Sequence, residues 1–312
     1  MSLGRHLIVH YHFFKNGGST LVSALERNFG DNFASIEADA HNKALEPAVL
    51  VDTIRARSNL QAISSHTLRP PLPRVEGISF HEIFVLRHPL DRLRSMYDFY
   101  STKADAHPLA RQAKTLDLPS FLKFLISDYP HLARDSQLRT LAAAGGRIAR
   151  EFDLATAEAM LRNAAGVLVL ENYDAGLATT EHYLQRFFPK IDLSYTSRNV
   201  SHRRLPTLEE RLHEMEAQCG SRLYRELLEL NQLDTQLLTF ASREADRRYR
   251  EMASPEAVLR DFVRRLRLRM VVRDVRRAYD RAEAFARHRA RRLVAFIRPA
   301  LRPAPPDHAA KN

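Results

Sequence analysis

Residues 6–25 read HLIVHYHFFKNGGSTLVSAL, and the fold of the whole chain is decided by them. Leu7, Ile8 and Val9 form a short apolar run suited to a strand buried on both faces, as in parallel sheets. Lys15-Asn16-Gly17-Gly18 has turn chemistry, and Ser19-Thr20 opens a helix with Leu21, Val22 and Leu25 at helical spacing. A strand, a Gly-Gly loop carrying a lysine and a hydroxyl-led helix together make an anion cradle. The glycines admit backbone N–H groups to the ligand, the helix N-terminus adds partial positive charge, and Lys15 adds a full one. The residue order departs from the nucleotide-triphosphate loop GxxxxGK[ST], because Lys15 precedes the glycines. Taken alone, the stretch also suits an ordinary strand-turn-helix with a serine cap.

A second stretch, residues 84–100, reads FVLRHPLDRLRSMYDFY. Ile83 to Leu86 form another buried-strand run that ends at Arg87, and Pro89 opens a helix with Leu90, Leu93, Tyr97 and Tyr100 on one face. Arg87 therefore stands at the C-terminal end of a strand, where open α/β sheets bind ligands. Ser95 follows about two helical turns later, within reach of the same anion. Arg92 and Arg94 read as a solvated face.

The pair KNGGST and RHPLDRLRSMY resembles the sulfotransferases that use 3′-phosphoadenosine 5′-phosphosulfate (PAPS), in particular the carbohydrate branch with the heparan and chondroitin enzymes. The resemblance implies that Lys15, Asn16, Gly17, Gly18, Ser19 and Thr20 hold the 5′-phosphosulfate, and that Arg87 and Ser95 hold the 3′-phosphate. Weaker echoes follow at Asp135-Ser136-Gln137-Leu138-Arg139, at residues 167–173 (VLVLENY) and at Arg198-Asn199-Val200-Ser201. In relatives the last of these closes over the nucleotide, which makes Arg198 and Ser201 nucleotide-binding candidates. The resemblance spans roughly residues 5–242. It implies an α/β, P-loop-like three-layer fold with a central parallel sheet of about 4–5 strands, flanked by helices and followed by a C-terminal helical extension.

Sulfuryl transfer needs positioning, charge stabilisation and a base for the acceptor hydroxyl. Lys15 supplies the charge. His66, at the end of a strand expected over Gln61 to Ser64, is the first candidate base, and Glu37, after the second strand, is its rival. Helical insertions between Thr102 and Gly146, cut by Pro108, Pro119 and Pro130, shape the acceptor cleft in this family. Arg111, Lys114, Arg134 and above all Arg139 are candidates to meet an anionic or hydroxylated acceptor, a carbohydrate or glycolipid in the branch resembled. No metal is required, since lysine and arginine supply the positive charge. A P-loop kinase is the rival enzyme reading. A non-catalytic membrane-docking protein that keeps the nucleotide fold is the rival from another class.

The 312 residues suit one large domain and an appendage, expected as residues 1–242 and 243–312. The single cysteine, Cys219, excludes an internal disulfide framework. Strand-like residues begin almost at once, without the apolar core of a signal peptide, so a cytoplasmic enzyme is expected. The net charge of +11 is local: residues 243–302 hold 19 arginines against 8 acidic residues, and the rest of the chain is balanced. The basicity is thus no argument for a nucleic-acid-binding core. Residues 255–298 read as one long Arg-rich helix with an irregular apolar stripe through Leu259, Phe262, Leu266, Met270, Val275, Tyr279, Phe285, Leu293 and Ile297. An anionic membrane surface, at the inner membrane face, is its expected partner.

Overall fold

Leu7, Ile8, Val9 and Tyr11 are all fully buried, a condition met by a strand covered on both faces. In the computed structural model, which describes residues 4–38, 44–104, 107–142, 147–196 and 205–297, they lie in β1 (Arg5–Tyr11). With β2 (Phe33–Ser35), β3 (Ala62–Ser65), β4 (Ile78–Leu86) and β5 (Gly166–Val169) it forms a five-stranded sheet in the order β2-β3-β1-β4-β5. Every pairing is parallel. The chain is α/β, with helices on the sheet as expected from the sequence. β4 begins earlier than the apolar run suggests, because residues 78–82 alternate in burial and pair with the start of β1.

The helices are α1 (Gly18–Phe29), α2 (Pro47–Ala56), α3 (Pro89–Thr102), α4 (Pro108–Thr115), α5 (Leu118–Asp128), α6 (Pro130–Ala133) and α7 (Ser136–Ala142), then α8 (Asp153–Asn163), α9 (Tyr173–Leu184), α10 (Leu208–Leu230), α11 (Gln232–Glu251) and α12 (Pro255–Ile297). One core unites alternate residues of β1 (Leu7, Val9, Tyr11) with Ile54 of α2, Leu161 of α8 and Leu237 of α11. Each such side chain contributes about 1.5–3 kcal/mol by leaving water. A second core joins Leu93 and Met96 of α3 with Phe121 and Leu122 of α5 and Leu227 of α10. Pro108, Pro119 and Pro130 divide this stretch into short helices, each standing in the first turn of α4, α5 or α6, where a residue needs no N–H donor.

Thr207 caps α10 in a capping box with Glu210, and Gly220 breaks the helix with φ 75°, a backbone state that glycine reaches without steric penalty. α11 runs to Glu251, and its last turns are anchored. Arg248 donates to the carbonyls of Leu161 (2.8 Å) and Ala164 (2.7 Å) at the end of α8, and Glu244 holds its Nε at 2.7 Å. The chain divides into two compact units between Arg264 and Arg265. Among the described residues no helix is long and apolar enough to cross a membrane.

Candidate active site

The sheet order aligns the ends of its strands. Tyr11 pairs with Ser65 and with Phe84, so the loops after β1, β3 and β4 leave one edge side by side. Lys15, His66 and Arg87 are thereby gathered from three separate stretches. Glu37, two residues past β2, joins them from the far side of β3.

The loop 12–17 is fixed by its backbone. Gly17 is left-handed (φ 87°), and a Cβ there would meet Leu170 Cδ1 at 2.8 Å. Gly18 starts α1 so close to β1 that a Cβ would lie 2.2 Å from His12 Cδ2. Both positions thus require glycine, Gly17 for its conformation and Gly18 for close approach. Gly17 caps α1 with no side-chain bond among the described residues, and uncapped helix starts of this kind are suited to an anion. Ser19 is exposed on that turn and Thr20 is buried. Lys15 is itself left-handed (φ 66°). Its ammonium sits 4.5 Å from the Phe99 ring centroid, and burial and Arg87 lower its proton affinity.

Two expected ligands also brace this loop. Asn16 is fully buried, and its Nδ2 donates to Val85 O (2.8 Å) and Gln137 Oε1 (2.7 Å). The Arg87 guanidinium donates from Nε to Asp91 Oδ2 (2.9 Å) and from Nη1 to the Lys15 carbonyl (2.8 Å). These contacts use two of its five N–H donors. Arg211 of α10 grips the same Asp91 carboxylate at 2.9 and 3.2 Å. Ser95 is partly buried on α3. Arg198 and Ser201 lie outside the described residues.

The Asp135-Ser136-Gln137 echo has a structural meaning that its sequence did not disclose. Gln137 Oε1 accepts from Arg87 N (3.0 Å) while its Nε2 donates to Arg87 O (2.9 Å), so one amide clasps the end of β4 and Asn16 together. Asp234 of α11 supports it, accepting from Leu138 N at 2.7 Å and Gln137 N at 3.1 Å. Asp135 returns the favour to α11, accepting from Asp234 N at 3.0 Å. In sequence Asp234 is an ordinary acidic residue in the first turn of its own helix, so nothing local marks its role at the start of α7.

His66 is exposed at the end of β3, stacked on His12 with ring centroids 3.8 Å apart. Its Nδ1 lies 2.7 Å from the His12 carbonyl. A carbonyl only accepts, so Nδ1 carries the proton and Nε2 of the neutral ring presents a lone pair. Glu37 serves this arrangement. Its carboxylate accepts from His66 N (2.9 and 3.0 Å), Thr67 N (3.1 Å) and Thr67 Oγ1 (3.0 Å). Arg69, which the sequence presents only as part of a Pro-rich loop, donates to the His66 carbonyl at 2.8 Å. Burial and the nearby Arg139 lower its proton affinity, and Glu37 opposes them. The structure thus brings Arg139 into the electrostatic range of the His66 loop. Arg111 lies elsewhere, lining a separate cavity with Phe124 and Tyr129.

His10 completes a row of three rings. It is fully buried, stacks on His12 at 5.2 Å and bonds Ser64 Oγ through Nδ1 at 2.9 Å. Burial, with His12 and His66 adding repulsion, keeps it well below the ordinary range. Burial, His66 and Lys15 push His12 down to about 3. Below the site, burial and His6 push His81 of β4 down to about 4. The unfolded chain protonates these rings from about pH 6.5 downward, whereas the folded chain does not until these lower values, so acid favours unfolding in between. Each ring contributes a loss of up to about 1.4 kcal/mol per pH unit. Asp135, pushed up to about 6 by burial, works in the opposite sense from pH 6 down. Denaturant midpoints at pH 7 and pH 5 should therefore fall further for the natural chain than for His81→Gln. Equal falls would show that His81 is not held neutral.

Among the described residues no three His, Cys, Asp or Glu side chains converge as a metal-binding group. The model of the sulfotransferase family matches residues 2–241. A protein of Archaeoglobus fulgidus described as uncharacterized is 26% identical over 240 residues, which cover 74% of this chain and 94% of that protein.

Proposed function

The chain belongs to the sulfotransferase family, and from that premise we propose that it is a cytoplasmic enzyme that moves the sulfuryl group of PAPS onto a hydroxyl of a carbohydrate or glycolipid-like acceptor. The observation that carries the reading is the 2.8 Å bond from Arg87 to the Lys15 carbonyl. It joins the glycine loop to the strand end that bears Arg87, so the residues for the two anionic ends of one donor form a single rigid unit. The left-handed turn at Gly17 and the glycine-led start of α1 suit a phosphosulfate. PAPS bound there supplies an activated sulfuryl group and a bisphosphate leaving group. Lys15 and the N–H groups of residues 17–20 offset charge that builds up on the leaving side, without reorganising. Arg87 and Ser95 hold the 3′-phosphate, with Arg198 and Ser201 assigned to the nucleotide from the resemblance.

His66 is the base in this reading, taking the acceptor proton on Nε2, and Glu37 positions it. The several donors that converge on the Glu37 carboxylate support that division, because they occupy its lone pairs and fix it against the backbone of His66 and Thr67. Arg69 and Arg139 beside the His66 loop favour an acceptor that carries negative charge or many hydroxyls. The test is transfer of radiolabel from PAPS into lysate fractions, followed by kinetics on the labelled fraction. His66→Asn should lose about 10² or more in turnover while the bisphosphate product still raises its melting temperature as in the natural chain. Full activity in His66→Asn with loss in Glu37→Gln would move the base to Glu37. No transfer to any fraction, with ATP raising the melting temperature instead, would overturn the sulfotransferase reading.

A further inference from the structure

The long helix α12 carries two apolar faces where the sequence suggests one stripe. At about 100° per residue, Leu259, Phe262, Leu266 and Met270 follow one another along one face, and Phe262 is fully buried. From Met270 to Val275 the register slips by about half a turn. Leu268, Val271, Val272, Val275 and Tyr279 lie on the opposite side, within an arc of about 100°. All five are exposed, at 59–69%. Their spacing is i, i+3, i+4, i+7 and i+11, the pattern of a helix made to bury a face. Arg267, Arg269, Arg276 and Arg281 all lie about 80° or more from the centre of that arc. Residues 265–297 hold 11 arginines against 3 acidic residues.

We propose that this face of α12 docks on an anionic phospholipid surface, with the Leu268–Tyr279 stripe at the acyl boundary and the flanking arginines on lipid phosphates. Charge complementarity selects the occupant. A second copy of the helix would bring two arginine-rich surfaces together, and the repulsion would oppose burial of the stripe. A nucleic acid or an acidic polysaccharide would satisfy the arginines but leave five large apolar side chains in water. A bilayer with anionic headgroups satisfies both, since arginine stems can lie along apolar surface with their guanidiniums at the phosphates. The proposal does not depend on the sulfuryl-transfer reading.

The test uses the full chain, floated with phosphatidylcholine vesicles and with vesicles containing about one third phosphatidylglycerol. Binding to the anionic vesicles alone, released by high salt, is expected. Val271→Asp with Val275→Asp should cut the bound fraction at least tenfold at an unchanged melting temperature. Arg267→Glu with Arg276→Glu, which flank the stripe on its two sides, should cut it by more than about tenfold, since each basic residue near the surface is worth roughly fivefold in partition. Absence of binding to anionic vesicles would overturn the proposal, as would binding unchanged in both double variants. So would a dimer of the natural chain that the valine variant converts to monomer, which would assign the stripe to a second copy.

Discussion

Lys15→Ala is expected to lower turnover by about 10²–10³-fold, the range for removing a group that stabilises charge developing in the transition state. The expectation rests on two separate functions of this residue. Its carbonyl anchors Arg87 at 2.8 Å, and alanine keeps that carbonyl and so keeps the brace between loop and strand. Its ammonium, packed over Phe99, is the part that alanine removes. Burial and Arg87 already weaken its hold on a proton, so the ammonium is poised to interact strongly with an arriving anion. A contact that tightens as negative charge grows on the leaving oxygen acts on kcat, whereas uniform binding acts on KM. Single-turnover rates alongside the affinity for the bisphosphate product separate the two. A variant that loses affinity and keeps its single-turnover rate would show that Lys15 only binds.

Asp234→Ala should destabilise the fold by about 3–5 kcal/mol, the range for breaking a buried charged network by removing one partner. Asp234 is fully buried, and its carboxylate receives Gln137 N, Leu138 N and Gln137 Nε2. It also lies in the field of Arg92, itself pushed down to about 10 by burial. Alanine leaves the start of α7 without its acceptor and a buried guanidinium without its counter-charge. Asp234→Asn should lose less, since an amide oxygen retains one acceptor. Urea unfolding midpoints measure both, and a loss below about 1 kcal/mol in the alanine variant would mean that solvent reaches the network. Because Gln137 clasps Asn16 and the end of β4, the alanine variant should also bind the bisphosphate more weakly.

The parts of this site that the sequence discloses are the local ones. A buried apolar run, a Gly-Gly turn and a hydroxyl-led helix are neighbours in the chain, so β1, its loop and α1 can be read directly. The same holds for β4, Arg87 and α3. Asn16 and Arg87 were legible as members of the site, but their side-chain partners were not. An asparagine in a loop carries no mark of whether it faces a ligand or a glutamine 121 residues away. Arg69 is hidden for a similar reason, because its importance lies in its nearness to Glu37 and Arg139, which come from other elements. In α12 a list of apolar positions merges two opposite faces until each residue's burial is known.

The clasp formed by Gln137 also sets the order in which the molecule can be completed. Asn16 meets a partner 121 residues downstream, and that partner rests on a carboxylate a further 97 residues on. Contacts of such separation form after local ones, because closing a long loop precedes any reward from the contact. On a ribosome adding about 5–20 residues per second, the interval between residues 16 and 234 is roughly 10–40 s. Throughout it, the clasp on the glycine loop lacks the carboxylate that supports it. Helix α11, made after every strand of the sheet, is thus the element that supports the first loop to be made.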